Sequence, residues 1–517
     1  MDRKQMTPEN TMRSRWTTCG CLAMAGGGVL LIALLIVGGA AFWFYNDARQ
    51  NNVGELAFDN QLNVPPLLEP TIDAQDRLVF DLRFSAGQTE LLPGTQTPTW
   101  GLNGTYLSPT LRATRGDEVV VHVENGVDEP TTLHWHGMRL PAVMDGGPHQ
   151  LIEPGDTWSP AWTVDQPAAT LWFHPHLHGR TANHVYRGAA GLFLLDDDEA
   201  SALEIPSDYG VDDVPLIIQD KQFHDGGELD DRGHLLGSNG VLGDEILVNG
   251  THAPHFEATT TLVRFRVLNA SNARVYNLGF TDGREYMLIG TDSGLLEAPV
   301  SLTRLLLSPG ERAEIVVRVT PGDEALLRSY PLDIGLDFWN RRMSGADDTF
   351  DILLVRGAAQ LTDSPALPAT LASIDRPEEA EAITTRSFRL SGRSINGESM
   401  DMARIDAVVE AGSVEIWEIR NSSGNLHSFH VHDIHFAILD IDGAAPPPHL
   451  RGWKDTVFMR PGGAVRIIAR FGEHTDPETP YMFHCHILFH EDDGMMGQFV
   501  VIEPSSDPPD SIPHARH

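Results

Sequence analysis

Two kinds of hydrophobic patterning divide the chain. Leu22 to Tyr45 are 24 consecutive uncharged positions, and Val29 to Val37 within them are all aliphatic. As a helix this stretch is about 36 Å long, enough to cross a hydrocarbon core of about 30 Å. It predicts one transmembrane anchor over residues 22–45, with Phe42, Trp43, Phe44 and Tyr45 suited to an interfacial aromatic belt. Arg3, Lys4, Arg13 and Arg15 precede it, against Asp2 and Glu9 only. By the positive-inside rule residues 1–21 form a cytoplasmic stub and the body lies outside, on a single-pass protein of the cell membrane. The alternative is a cleaved signal peptide, whose apolar core spans only about 7–15 residues. Cleavage would leave the body secreted or periplasmic.

After residue 55 helical periodicity is scarce. Short β-branched runs recur between Gly, Pro, Asn and Asp, which predicts an all-β body of sandwiches or barrels. A longer period sits on top of this. Asn-Gly occurs at Asn103-Gly104, Asn249-Gly250 and Asn396-Gly397. An alternating stretch follows each, Glu118 to Asn125, Leu262 to Asn269 and Val414 to Asn421, ending in Asn at the strand exit. Then come Glu153-Pro154-Gly155, Ser308-Pro309-Gly310 and Arg460-Pro461-Gly462, each leading into another strand. One order of features repeated three times predicts three homologous β-domains, at 55–205, 206–365 and 380–505. Arg356 to Arg386 reads as the linker before the third, and 506–517 as a Pro-rich tail.

Charge and cysteine content narrow the chemistry. Against 37 basic residues stand 72 acidic ones, a net charge of −35. That argues against a nucleic-acid partner, because a phosphate backbone needs a basic surface. Cationic or neutral substrates remain open, and the sequence sets no oligomeric state. Of the 3 cysteines only Cys485 lies beyond residue 21, which excludes a disulfide scaffold in the body.

The histidines then form four clusters: His134-Trp-His136, His174-Pro-His176, His427-Ser-Phe-His430-Val-His432, and His484-Cys485-His486 with His490 and Met495 downstream. Strand parity sorts them, since residues i and i+2 share a face. His484 and His486 face one way and Cys485 the other. His430 and His432 share a face from which His427 looks away. Cys485, His427 and His490, with Met495 as a further ligand, have the composition of a blue-copper electron-transfer centre. The opposite faces offer His430, His432, His484 and His486, and the first repeat adds His134, His136, His174 and His176. Eight imidazoles from two repeats predict a cluster of several copper ions between them. In the first repeat Pro175 stands where Cys485 does and Arg180 where His490 does, so no blue-copper site forms there. In the second, Asn272 to Gly279 matches the His427–His432 region and holds no ligand, which makes that repeat a spacer.

These clusters, in this order, resemble the copper signatures of three-domain multicopper oxidases, the laccase-like family, over about residues 60–505 of this chain. Trp172 to Gly179 and His490 to Met496 are most similar to the bacterial cuprous oxidases of copper tolerance and their copper-less cell-division relatives. The resemblance implies three cupredoxin-like Greek-key β-sandwiches in tandem and four copper ions. Type 1 copper is implied at His427, Cys485, His490 and Met495, type 2 at His134 and His430. The type 3 pair is implied at His136, His174, His176, His432, His484 and His486. No ligand is missing, which disfavours the copper-less relatives.

The implied reaction takes single electrons from a reductant and reduces O₂ to water. Electrons enter at the edge of His427 or His490, and Cys485 passes them to the cluster. Asp145 and Glu491 match the acids of proton delivery in these relatives. Cuprous oxidases carry a methionine-rich insertion, whereas the 14 methionines here are scattered, and Ser423 and Asn425 precede His427. The expectation is therefore a laccase-like oxidase of phenols or aromatic amines. A metal-ion oxidase is the alternative, and an anchored structural or electron-transfer protein without turnover is a third reading.

Overall fold

The structure, a computed structural model, describes residues 32–46, 48–232 and 239–513. It divides into two units, Met1–Arg49 and Gln50–His517. In the first, residues 32–46 are helical and the apolar side chains of Leu35, Ile36 and Phe42 are exposed. Residues 22–31 of the expected anchor, and the stub before it, lie outside the described residues. Among the described residues no helix is long and apolar enough to cross a membrane.

In the second unit, alternating burial drives strand formation. Phe80, Leu82 and Phe84 of strand Leu78–Thr89 point inward while Asp81 and Arg83 point out. Six sheets result among the described residues. The three largest of the apolar cores they enclose lie around Phe80, Val121 and Phe193, around Phe265, Ile315 and Leu353, and around Trp417, Phe429 and Phe499.

The three repeats are assembled alike. In each, a strand runs parallel to the one that ends in Asn: Leu78–Thr89 beside Glu118–Asn125, Asp213–Lys221 beside Leu262–Asn269, and Thr384–Ser391 beside Val414–Asn421. The Asn-Gly turns need left-handed backbone, with φ of 56° at Asn103, 52° at Asn249 and 57° at Asn396. Asparagine tolerates it and locks the turn: its side-chain Oδ1 accepts from the N–H of Arg83, Ile217 and Arg389 respectively, each at 2.8 Å.

A second asparagine closes each repeat. Asn125 donates through Nδ2 to the carbonyls of Glu129 and Ile152, Asn269 to Arg274 and Leu307, and Asn421 to Asn425 and Met459. Each also accepts through Oδ1 from the N–H two residues on, at Val127, Ser271 and Ser423. One buried amide thus ties the strand exit, the following loop and the residue before the Pro-Gly turn.

The sheets that carry the histidines share one plan. In the first repeat the order is Leu111–Thr114, Gly191–Asp196, Ala169–His174, His134–His136. In the third it is Ala407–Glu410, Met496–Ile502, Asp476–Cys485, His427–Val431, Thr456–Met459. Register places His174 directly opposite His134, and His484 directly opposite His430. The chain leaves each histidine pair into a short helix, Thr181–Tyr186 and Leu488–Asp492. The Asp492 carboxylate caps the first of these, accepting from Thr181 and Ala182 N–H at 2.9 and 2.9 Å.

Asn269→Ala strips three hydrogen bonds from a buried loop and leaves two carbonyls and an N–H without partners. It is expected to destabilise the copper-free chain by about 1–3 kcal/mol, read as a lower urea midpoint. An unchanged midpoint would contradict the pinning role.

Candidate metal centre

The first site is built on the apolar side of the third repeat. Strand pairing sets Phe429 against Cys485, so Cys485 and His427 point to the side away from His430 and His484. Cys485 Sγ lies 3.4 Å from His427 Nδ1 and 3.6 Å from His490 Nδ1, and all three residues are fully buried. Met495 joins them through its backbone: its carbonyl accepts from Cys485 N–H and its N–H donates to the His490 carbonyl. Met495 is itself buried.

Ser423 sets the tautomer of His427. Its hydroxyl donates to Asn421 Oδ1 at 2.8 Å, so at 3.0 Å it accepts the Nε2–H of His427. The His427 Nδ1 lone pair is thereby turned toward Cys485. The same asparagine that closes the repeat thus orients a ligand. Burial pushes the Cys485 thiol up to about 12, and burial followed by the neighbouring His490 lowers His427 well below its ordinary value. A metal must displace the thiol proton and meets a neutral imidazole.

The second site lies between the first and third repeats. All eight histidines expected there are 0 or 1% exposed. Their nitrogens form groups close enough to share an ion: His134, His430 and His432; His136, His174 and His486; and His176, His432 and His484. His134 stacks on His432 and His136 on His430, each pair with centroids 3.7 Å apart. Burial is the largest cause holding His136, His174, His430, His432 and His486 well below their ordinary pKa, and it brings His176 to about 3. These rings are neutral, as metal ligation requires.

Each ring then has one N–H to place. His134 Nδ1 donates to the Asp145 carbonyl at 3.0 Å, His174 Nδ1 to the Pro175 carbonyl at 2.8 Å, and His430 Nδ1 to the Asp455 carbonyl at 2.8 Å. His432 Nδ1 donates to Asp145 Oδ2 at 2.7 Å. Glu491 lies beneath His176 and His484, 3.1 Å from His484 Nδ1 and 3.5 Å from His176 Nδ1, whereas neither ring nitrogen of His486 has a hydrogen-bond partner. The Nε2 atoms are left facing one another, at 3.1 Å for His176 and His484 and 3.3 Å for His432 and His484. Nε2 of His134, His430 and His486 has no hydrogen-bond partner at all. Buried lone pairs converging without donors are costly unless a cation lies among them, so the residues fit copper.

His136 is reversed. Its Nε2 is engaged by Asp455 Oδ1 at 3.1 Å and Thr456 Oγ1 at 3.2 Å, and Nδ1 instead faces His174 Nε2 at 3.4 Å.

Asp145 and Glu491 both touch cluster histidines and are 1% exposed. Asp145 is held there by Gly146, whose φ is +77° and whose added Cβ would meet the Leu133 carbonyl at 1.7 Å. Elsewhere the ligand-free positions have other partners. Arg180 pairs with Glu129, and Arg274 of the second repeat is buried between Asp220 and Asp348 at 2.9 and 2.6 Å.

Sequence reasoning missed Ser423 as an orienting group, and Asp455 and Thr456 altogether. Asp455 is one acid among 72 and lies 319 residues from His136, so only the fold joins them. Its place after Trp453-Lys454, just before the Thr456–Met459 strand beside His430, was the available signal.

Models of the multicopper oxidase family match residues 83–200 and 365–505. The cell division protein FtsP of Salmonella typhimurium is 36% identical over 460 residues, covering 88% of this chain and 94% of FtsP. Multicopper oxidase mco of Staphylococcus aureus is 35% identical over 446 residues, covering 86% of this chain and 92% of mco. Among solved structures, a laccase-like multicopper oxidase CueO from Ochrobactrum sp., with oxidase activity towards lignin model compounds and lignosulfonate, superposes with a TM-score of 0.78. It is 36% identical and covers 85% of this chain and 100% of that one. A metallo-oxidase from Campylobacter jejuni superposes with a TM-score of 0.75 at 27% identity, covering 88% and 98%. The chain belongs to the multicopper oxidase family.

Proposed function

We propose that this chain is a laccase-like oxidase that takes single electrons from phenols or aromatic amines and reduces O₂ to water. The observation that carries this reading is the complete, buried and prearranged ligand set. His427, Cys485, His490 and Met495 would hold type 1 copper. His134 and His430 would hold type 2, His136, His174 and His486 one type 3 ion, and His176, His432 and His484 the other. Bound copper supplies the electron acceptance, one electron at a time, and the four-electron reduction of O₂.

The chain's own residues do the rest. Cys485 is covalently joined to His484 and His486, so one short stretch of backbone links the two sites. Burial keeps water from both. Glu491, beneath His176 and His484, and Asp145, between His134 and His432, are the proton-delivering carboxylates. The donor side is flanked by the Ser423-Gly424-Asn425 loop, where a Cβ on Gly424 would meet Asn340 Nδ2 at 3.3 Å. Asn340 belongs to helix Phe338–Met343, which exposes Phe338 at 69% and Trp339 at 39%. Exposed aromatic side chains on the helix that touches this loop support an aromatic donor over a soft metal ion. The body is placed outside the cytoplasm, held by residues 22–45, on the charge asymmetry of the N-terminus.

A metal-ion oxidase is the second reading, favoured by the likeness to the Campylobacter metallo-oxidase and by the acidic charge, which draws cations. Oxygen uptake by the copper-loaded chain decides between them, with a phenol panel and then with Cu(I), Fe(II) and Mn(II). Uptake with phenols alone is expected. Phenol turnover only when extra copper is added would overturn the laccase reading, and full copper content with no uptake from any donor would favour a non-enzymatic role. Cys485→Ser is expected to abolish the blue colour of the loaded chain while copper still binds the histidine cluster; a blue variant would contradict the type 1 assignment. Glu491→Gln should keep the blue colour and slow O₂ reduction on the order of 10²-fold. An unchanged rate would remove Glu491 from proton delivery.

A further inference from the structure

The second repeat carries no candidate ligand, yet one of its side chains touches all three repeats. Arg312 follows the Ser308-Pro309-Gly310 turn and is 1% exposed. Each of its five N–H groups has an acceptor. Nε donates to the Thr170 carbonyl at 3.0 Å, on the strand that ends at His174. Nη1 and Nη2 donate to the carbonyls of Gly310 at 3.0 Å and Asp292 at 2.8 Å, within the second repeat itself. Their remaining hydrogens grip both carboxylate oxygens of Asp455 in the third repeat, at 2.8 and 2.5 Å. This fork-to-fork geometry fixes the carboxylate in orientation as well as position.

The gripped carboxylate is the one that engages His136 Nε2. Ser293 Oγ donates to its Oδ2 at 3.1 Å and Thr456 Oγ1 to its Oδ1 at 2.8 Å, while its main-chain carbonyl receives His430 Nδ1. The space is fully used. A Cβ on Gly137, next to His136, would fall 2.5 Å from Asp455 Oδ2 and 2.7 Å from Arg312 Nη2. The turn that delivers Arg312 also walls the cluster directly, since a Cβ on Gly310 would meet the His486 ring at 2.9 Å. His136 and His486 belong to the same three-histidine group.

We propose that Arg312 of the ligand-free repeat is a positioning residue for the trinuclear site. Through Asp455 it holds His136 with Nδ1, rather than Nε2, toward the cluster, and through its own turn it seats His486. This rests on the copper reading above. Released from Asp455, the His136 ring is free to turn and offer Nε2, which lies farther from its backbone and misplaces the ion shared with His174 and His486. The ligand-free repeat is then a working wall of the site and not only a spacer.

The test compares the copper-loaded full chain with Arg312→Met, Arg312→Lys and Asp455→Asn. Copper per chain, resistance to a chelator, the EPR-silent share of the copper and the blue band are read for each. The magnetically coupled type 3 pair is EPR-silent, and the blue band reports the type 1 site. All three variants are expected to keep the blue band. Their cluster copper should be lost at about 10–100-fold less chelator, and the EPR-silent share should fall. Lysine does not rescue, because a point charge cannot form the fork. Variants with an intact EPR-silent pair and wild-type chelator resistance, altered only in Tm, would overturn the proposal. Should Arg312→Met fail to fold, the isosteric Asp455→Asn decides; loss of the blue band there too would make the clamp a general fold element and overturn it. Wild-type chain that takes up no copper would sink the copper reading and the clamp together, whereas loaded wild type with unaltered variants sinks the clamp alone.

Discussion

A neutral imidazole has one N–H and one lone pair, and burying it obliges the protein to place both. Eight buried imidazoles meet between the first and third repeats, and the rest of the structure is arranged around that constraint. Most of the outward nitrogens have a fixed partner: main-chain carbonyls of Asp145, Pro175 and Asp455 and the carboxylates of Asp145, Asp455 and Glu491 ring the cluster, and only His486 lacks one. The lone pairs then have nowhere to go but inward. A buried pocket with that lining favours a soft or borderline cation over a proton, because burial disfavours imidazolium.

The repeat explains how a chain meets so many geometric demands. Tandem copies of one sandwich bring the same strand edge to the same place, so His134 opposite His174 and His430 opposite His484 are two instances of a single register. The buried asparagine at each strand exit holds the loop that carries ligands in the outer repeats. In the third repeat it has been drawn into the site, through Ser423 to His427. In the second the same architecture persists, its described residues forming no histidine cluster, and its Pro-Gly turn lies against His486. On the function proposed above, one scaffold would serve three tasks: half a cluster, a wall, and half a cluster with a blue-copper site.

Much of this was legible along the chain because a strand's two-residue period is rigid. Parity alone put Cys485 on one face and His484 and His486 on the other, and the structure brings together every histidine that parity grouped. The Asn-Gly and Pro-Gly landmarks were visible for a similar reason, since few residues tolerate those backbone conformations. Legibility failed where a contact joins distant segments without a local pattern. Asp455 and Arg312, 143 positions apart in the chain, are ordinary charged residues until the fold brings them together in a buried pair. In the sequence Ser423 is only a sulfur-free neighbour of His427, because a tautomer is decided by hydrogen bonds that the sequence does not display. The reversal of His136 was hidden for the same reason.

The chain is similar both to proteins named for cell division and to proteins named for oxidation, and whether it works as an oxidase turns on whether metal enters this lining. Family membership does not separate the two, but the donor atoms bear on it directly, since an unloaded cluster leaves Nε2 of His134, His430 and His486 buried without partners. The most direct measurement is anomalous diffraction at the copper edge from crystals of the copper-loaded chain. Four peaks are expected, one among His427, Cys485 and His490 and three among the eight histidines. No peak, or copper bound only at surface acids and the C-terminal histidines, would contradict the assignment of both sites.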